Sequence, residues 1–152
     1  METNSTYRLL SSILKILKMM IEAGAEIYRV EESAKHIFLA YGFKNIDVYA
    51  TTSNIIISLE DHDGVIKTHT RRIDKISTDI EKVHSLNNLV RQISETAPKY
   101  ALIEKEVEKI ENTKKYPTFI IVAFYGIIAG AFYMFFGGRS VGELLISSTI
   151  GL

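Results

Sequence analysis

TFIIVAFYGIIAGAFYMFF, residues 118–136, is a run of nineteen residues without Asp, Glu, Lys, Arg or His, closed by Gly137-Gly138-Arg139. A helix rises about 1.5 Å per residue, so the run covers ~28 Å, close to the ~30 Å hydrocarbon core of a bilayer. We read it as a transmembrane helix. A buried helix of a soluble protein is the competing explanation, but the residues before the run are too few to surround it on all sides. Pro117 opens the helix at a tolerated position, and Tyr116 and Tyr133 suit the two interfaces. Lys114-Lys115 precede the run and Arg139 alone follows it. By the positive-inside rule the amino-terminal part is then cytoplasmic and the protein belongs to the cell (inner) membrane.

Working outward from this run, the chain divides into three stretches: a cytoplasmic domain at 1–115, the membrane helix at 116–138, and a second apolar stretch at 139–152, too short to span and read as the start of a truncated further segment. Every charged residue except Arg139 and Glu143 lies at or before Lys115. The 152 residues suffice for one ordinary domain and a short appendage. Lys plus Arg and Asp plus Glu stand at 18 each, so no bulk positive charge is available to hold a nucleic acid. With no cysteine, disulfides, thiolate metal sites and cysteine nucleophiles are excluded.

The first 115 residues predict an α+β fold, a small antiparallel sheet of about three strands with four helices. Leu9, Ile13, Ile16, Leu17, Met20 and Ile21 recur at helical spacing, with Lys15, Lys18 and Glu22 on the other side. Gly24 is placed to stop this helix in the left-handed conformation, and Gly42 repeats the stop after a second helix carrying Val30, Ala34, Ile37, Phe38 and Tyr41. Residues 45–51, 54–60 and 65–73 are rich in β-branched and aromatic types and read as strands, with a hairpin at Asp63-Gly64. A third helix begins near Thr78, whose hydroxyl and Glu81 have capping-box spacing; its core stripe is Ile80, Val83, Leu86, Leu89 or Val90, and Ile93. Pro98 ends it, and a charged fourth helix follows from Lys99 to about Asn112, with Ile103, Val107 and Ile110 as its seam.

Few constellations suggest chemistry. Glu26, Arg29, Glu31 and Glu32 crowd the start of the second helix, where acids favour the positive helix end and i,i+3 neighbours pair. Arg71 and Arg72 add one cation to each face of the sheet. Free near a bilayer they would attract anionic lipid or a substrate carboxylate; paired with the helix-two acids they would be structural. The four histidines have no metal-ligand spacing, and the calcium-loop-like start at Asp61 fails at its twelfth position, Arg72. No serine elbow, phosphate loop or zinc-protease pattern occurs. No catalytic residue, metal or cofactor is therefore expected. In the apolar run, Gly126 and Gly130 at four-residue spacing would let another helix approach closely.

Gly24-Ala-Glu-Ile-Tyr-Arg-Val-Glu-Glu32, Arg71-Arg72-Ile73, Val83-His-Ser-Leu-Asn-Asn-Leu-Val-Arg91, Tyr116-Pro117 and Phe136-Gly137-Gly138 occur in this order from helix one to the end of the apolar run. Together they resemble the threonine/serine exporter family, ThrE and its YjjP-like relatives. The resemblance implies a cytoplasmic domain followed by several membrane helices, and export of threonine and serine, or of succinate-like dicarboxylates in two-component relatives. Ile27 stands where the family often has threonine, and one span alone should not transport. Partners are thus expected to be the lipid bilayer and further membrane helices or a partner subunit, as an oligomer. The candidate substrate-binding residues are Glu26, Arg29, Glu32 and Arg72, of which the two guanidinium groups can recognise a carboxylate. A membrane-anchored cytoplasmic hydrolase-like enzyme, or an anchored interaction module using the helix-one face, is the alternative.

Overall fold

The computed structural model describes residues 2–61, 63–113 and 117–150, the first five of them by backbone alone. His62, Lys114, Lys115 and Tyr116, to which the sequence assigns a hairpin tip, a charged flank and an interface, lie outside the described residues. The fold is α+β. Contacts divide the chain into Met1–Asn112 and Thr113–Leu152.

In the first unit the order is α1 (Glu2–Glu22), α2 (Ile27–Ala40), β1 (Lys44–Ala50), β2 (Asn54–Glu60), β3 (Ile66–Arg72), α3 (Ile80–Thr96) and α4 (Tyr100–Glu111). The strands form an antiparallel meander, β1-β2-β3. Alternation along β2 buries Ile55, Ile57 and Leu59, while Tyr49 on β1 is exposed on the opposite face. The inner face packs into a single core with the helices.

The axis of that core is α1, which touches α2, α3, α4 and β3. Its buried surface is wider than one amphipathic stripe: Leu10, Leu14, Met19 and Ala23 are buried together with Ile13, Ile16, Leu17, Met20 and Ile21. Lys15 and Lys18 occupy the narrow remainder, ion-paired with Glu111 and Asp74, each at 2.6 Å. A helix enclosed by neighbours on most sides needs apolar residues over most of its circumference.

Glycine stops shape both units. Gly24 has φ 91°, and Gly24 N–H and Ala25 N–H donate to the carbonyls of Ile21 and Met20. Gly42, φ 77°, repeats the arrangement with Gly42 N–H to Leu39 and Phe43 N–H to Phe38, and the rings of Phe38 and Phe43 meet edge to face at 5.8 Å. The segment leaving β3 then crosses the end of α1. Ser77 N–H donates to the Glu22 carbonyl at 2.8 Å and Asp79 N–H to the Ala23 carbonyl at 2.9 Å, satisfying acceptors that the helix leaves open.

Two sequence expectations are corrected in this region. The cap of α3 is Asp79, not Thr78: the Asp79 carboxylate accepts from Lys82 N–H at 3.0 Å, and a carboxylate at a helix start is favoured by the dipole as well as by the hydrogen bond. Ile80 is 76% exposed and does not join the core stripe, which runs through Leu86, Leu89, Val90 and Ile93. The first turn of α3 follows directly from the segment tied to α1 and has not yet reached the packed interior. The hairpin expected at Asp63-Gly64 joins β2 to β3. Glu60 pairs with Ile66, and Asp61 organises the loop between them by accepting from Asp63 N–H and Val65 N–H, each at 3.0 Å.

In the second unit, α5 (Thr118–Phe135) has mean hydropathy 2.0 and is 11% buried. Among the described residues it is the one helix long and apolar enough to cross a membrane. Gly137, φ 90°, stops it, with Gly138 N–H donating to the Tyr133 carbonyl. The following stretch is helical too: α6 (Val141–Ile150) turns back against α5. Among the described residues the helices therefore number six, against the five expected.

Candidate functional site

A groove of about 680 Å³ lies between α2 and α3 in the first unit. Tyr28, Arg29, Glu32, Ser33 and His36 line it from α2; His84, Asn87, Asn88, Val90, Arg91, Ser94 and Glu95 line it from α3. Buried faces fix the two helices against each other, Val30, Ala34 and Ile37 on α2 and Leu86, Val90 and Ile93 on α3. Polar residues one step around each helix are thereby turned toward a shared space.

Two of the sequence stretches that carry the family resemblance meet here. Tyr28, Arg29 and Glu32 belong to the stretch from Gly24, and His84, Asn87, Asn88, Val90 and Arg91 belong to the stretch from Val83. Arg29 is held by its Nε, which lies 2.7 Å from Glu26 Oε2 and donates to the Tyr28 hydroxyl at 3.2 Å. These contacts raise its already high pKa, the Tyr28 hydrogen bond foremost and Glu26 after it. Its two terminal nitrogens have no partner among the described residues, so the outer edge of the guanidinium fork is open. The side chains of Arg91, Glu32 and Glu95 also have no hydrogen bond or ion pair among the described residues. His84 Nε2 is 3.1 Å from Asn88 Nδ2, and Ser94 donates its hydroxyl to the Val90 carbonyl at 2.9 Å.

The groove thus presents cationic forks and carboxylates of both helices to one space. Such a set can hold a small ligand bearing a carboxylate and an ammonium, with each charge met by its opposite. Of the residues singled out from sequence, Arg29 and Glu32 line the groove, and Glu26 stands behind Arg29 as its ion-pair partner. Arg72 does not line it. It ends β3 opposite Asn54, and Arg71 beside it lies 3.4 Å from the Ser11 hydroxyl on α1. Glu31 is also turned elsewhere, accepting from Ala50 N–H at 2.8 Å and so tying α2 to β1. Sequence reading missed His36, His84, Arg91 and Glu95 as a group, because α2 and α3 are separated by the whole sheet and only packing brings them together.

In the second unit, Gly126 and Gly130 are the buried residues of α5. A Cβ on Gly130 would lie 2.5 Å from Ser148 Oγ and 3.3 Å from Leu144, so the absence of a side chain admits α6. Ser147 Oγ donates to the Ala129 carbonyl at 3.2 Å. Near the turn the Tyr133 hydroxyl donates to Glu143 Oε2 and accepts from Ser140 N–H.

A compact α+β body followed in sequence by an apolar helical hairpin with glycines at its seam is the plan of a membrane protein with an extramembrane domain. The family model described as "Putative threonine/serine exporter", ThrE, matches residues 11–152, and the chain belongs to this family of membrane transporters. No curated protein and no solved structure matches the chain.

Proposed function

We propose that this chain supplies the cytoplasmic domain and the first membrane helices of an exporter of threonine, serine or closely similar small amino acids, and that the α2–α3 groove is where the cytoplasmic domain meets the substrate. The observation that carries the reading is the extent of the family match, which runs from the body through the apolar hairpin. In this reading residues 1–115 face the cytoplasm, 116–138 form the span and 139–152 begin the next apolar segment, with further helices or a second subunit completing the path. A free amino acid carries one carboxylate and one ammonium. The open forks of Arg29 and Arg91 suit the first and Glu32 the second. Ser94 and His84 are each engaged with neighbours on their own helix, an arrangement that fits binding better than a nucleophile and its base.

Arg29→Lys in the intact exporter tests the site. The Arg29–Glu26 pair is 59% exposed on both sides and contributes little to stability, and lysine keeps the charge while losing the fork. Export of threonine from cells should fall several-fold while membrane abundance and melting temperature stay unchanged. A parallel fall in abundance would make Arg29 structural, and normal export with normal abundance would remove it from either role.

A further inference from the structure

Residues 117–150 hold a single acid, Glu143, and a single base, Arg139. Glu143 is exposed on the hairpin, and an acid is costly wherever lipid or apolar helices cover it. Glu143 lies in the first turn of α6, where Ser140 caps the helix and the Tyr133 hydroxyl engages Oε2. Its other oxygen, Oε1, has no partner among the described residues.

Beside it, between α5 and α6, is an open depression of about 370 Å³ lined by Ala129, Glu143, Ile146, Ser147 and Ile150. Ser147 is one helical turn beyond Glu143 and faces the same space. Because its proton goes to the Ala129 carbonyl, the hydroxyl oxygen can only accept from a ligand. The side-chain atoms left open in the depression are therefore acceptors, a carboxylate oxygen and a hydroxyl oxygen, and the remaining walls are apolar. Arg139 is not among the lining residues. A site of acceptors alone rejects a carboxylate and fits a cation with several donors.

We propose that Glu143, with Ser147, binds the primary ammonium group of the exported amino acid within the α5–α6 hairpin. The proposal rests on the exporter reading above, and the two can fail separately. The groove of the cytoplasmic domain and this depression belong to different units, and neither requires the other.

The test uses the intact exporter in proteoliposomes preloaded with threonine, reading exchange against labelled threonine and competition by 2,3-dihydroxybutanoate, in which a hydroxyl replaces the ammonium. Glu143→Gln still accepts the Tyr133 hydrogen bond but has no charge. The expected result is a roughly 10- to 100-fold weaker threonine affinity, the size of one lost charge-assisted hydrogen bond, with discrimination against the hydroxy acid largely abolished. Exchange with unaltered discrimination overturns the proposal. So does normal exchange combined with a loss of net, pH-dependent export, which would make Glu143 an ion-coupling group. If Glu143→Gln does not accumulate in the membrane, Ser147→Ala decides: a several-fold loss of discrimination supports the site and an unchanged ratio overturns it. Wild-type protein that exchanges neither threonine nor serine would sink the exporter reading itself, whereas wild-type exchange beside an unaffected glutamine variant sinks only the site.

Discussion

A side chain at position 24 would share space with the Ser77 carbonyl oxygen, 2.8 Å from where its Cβ would sit, on a backbone already turned to φ 91°. Left-handed backbone costs an ordinary L-residue roughly 1–2 kcal/mol, and a β-branched one more. Gly24→Val should therefore destabilise the protein by about 2 kcal/mol or more, with Gly24→Asn losing clearly less, because asparagine tolerates this conformation. Thermal melts of the three proteins check this. Equal midpoints would mean that the chain can run helically through position 24. This residue was legible from sequence because glycine after an apolar periodic run has one common physical use. The cap of α3 was not legible to the residue: Thr78 and Asp79 are adjacent acceptors, and only the placement of Ser77 and Asp79 over the end of α1 selects the second.

At the scale of elements, the β2–β3 loop depends on Asp61, which is buried apart from its contact with Lys67 at 2.6 Å. Lys67 and the amides of Val65 and Asp63 hold its pKa below the usual carboxylate value, against the opposing effect of burial. A carboxyl whose folded pKa is depressed contributes stability above its unfolded value, and that contribution is lost as the pH falls through the folded one. Asp61→Asn keeps an oxygen for both amides and removes the charge. The variant should melt below wild type at neutral pH, and the gap should close as the pH drops below about 4. A gap independent of pH would assign the effect to shape alone. The strands themselves were readable, since β-branched residues alternate cleanly along β2. The pairing of α2 with α3 was not, because each helix shows its own stripe and nothing local says which stripes meet. Sequence alone consequently groups Arg72 with Arg29, although one ends an edge strand and the other lines the groove with α3.

For the whole molecule, the division into a charged body and an apolar hairpin is visible in the charge distribution alone, and the family match spans both. The orientation reading yields a direct measurement. The chain has no cysteine, so a single one can be placed without clearing a background. In intact cells an impermeant thiol reagent should leave Asn112→Cys unlabelled and label Arg139→Cys; the reverse pattern would invert the topology. The central position of α1 has a further consequence for the order in which the protein is made. α1 leaves the ribosome early, while α3 and α4, which cover it, are translated last before the apolar segment. At ~5–20 residues per second, several seconds separate the helix from its cover. The exit tunnel encloses the newest stretch of chain, so α4 is still inside it while α5 is polymerised. Closure of the core over α1 and capture of α5 by the insertion machinery thus compete for the same few seconds of synthesis.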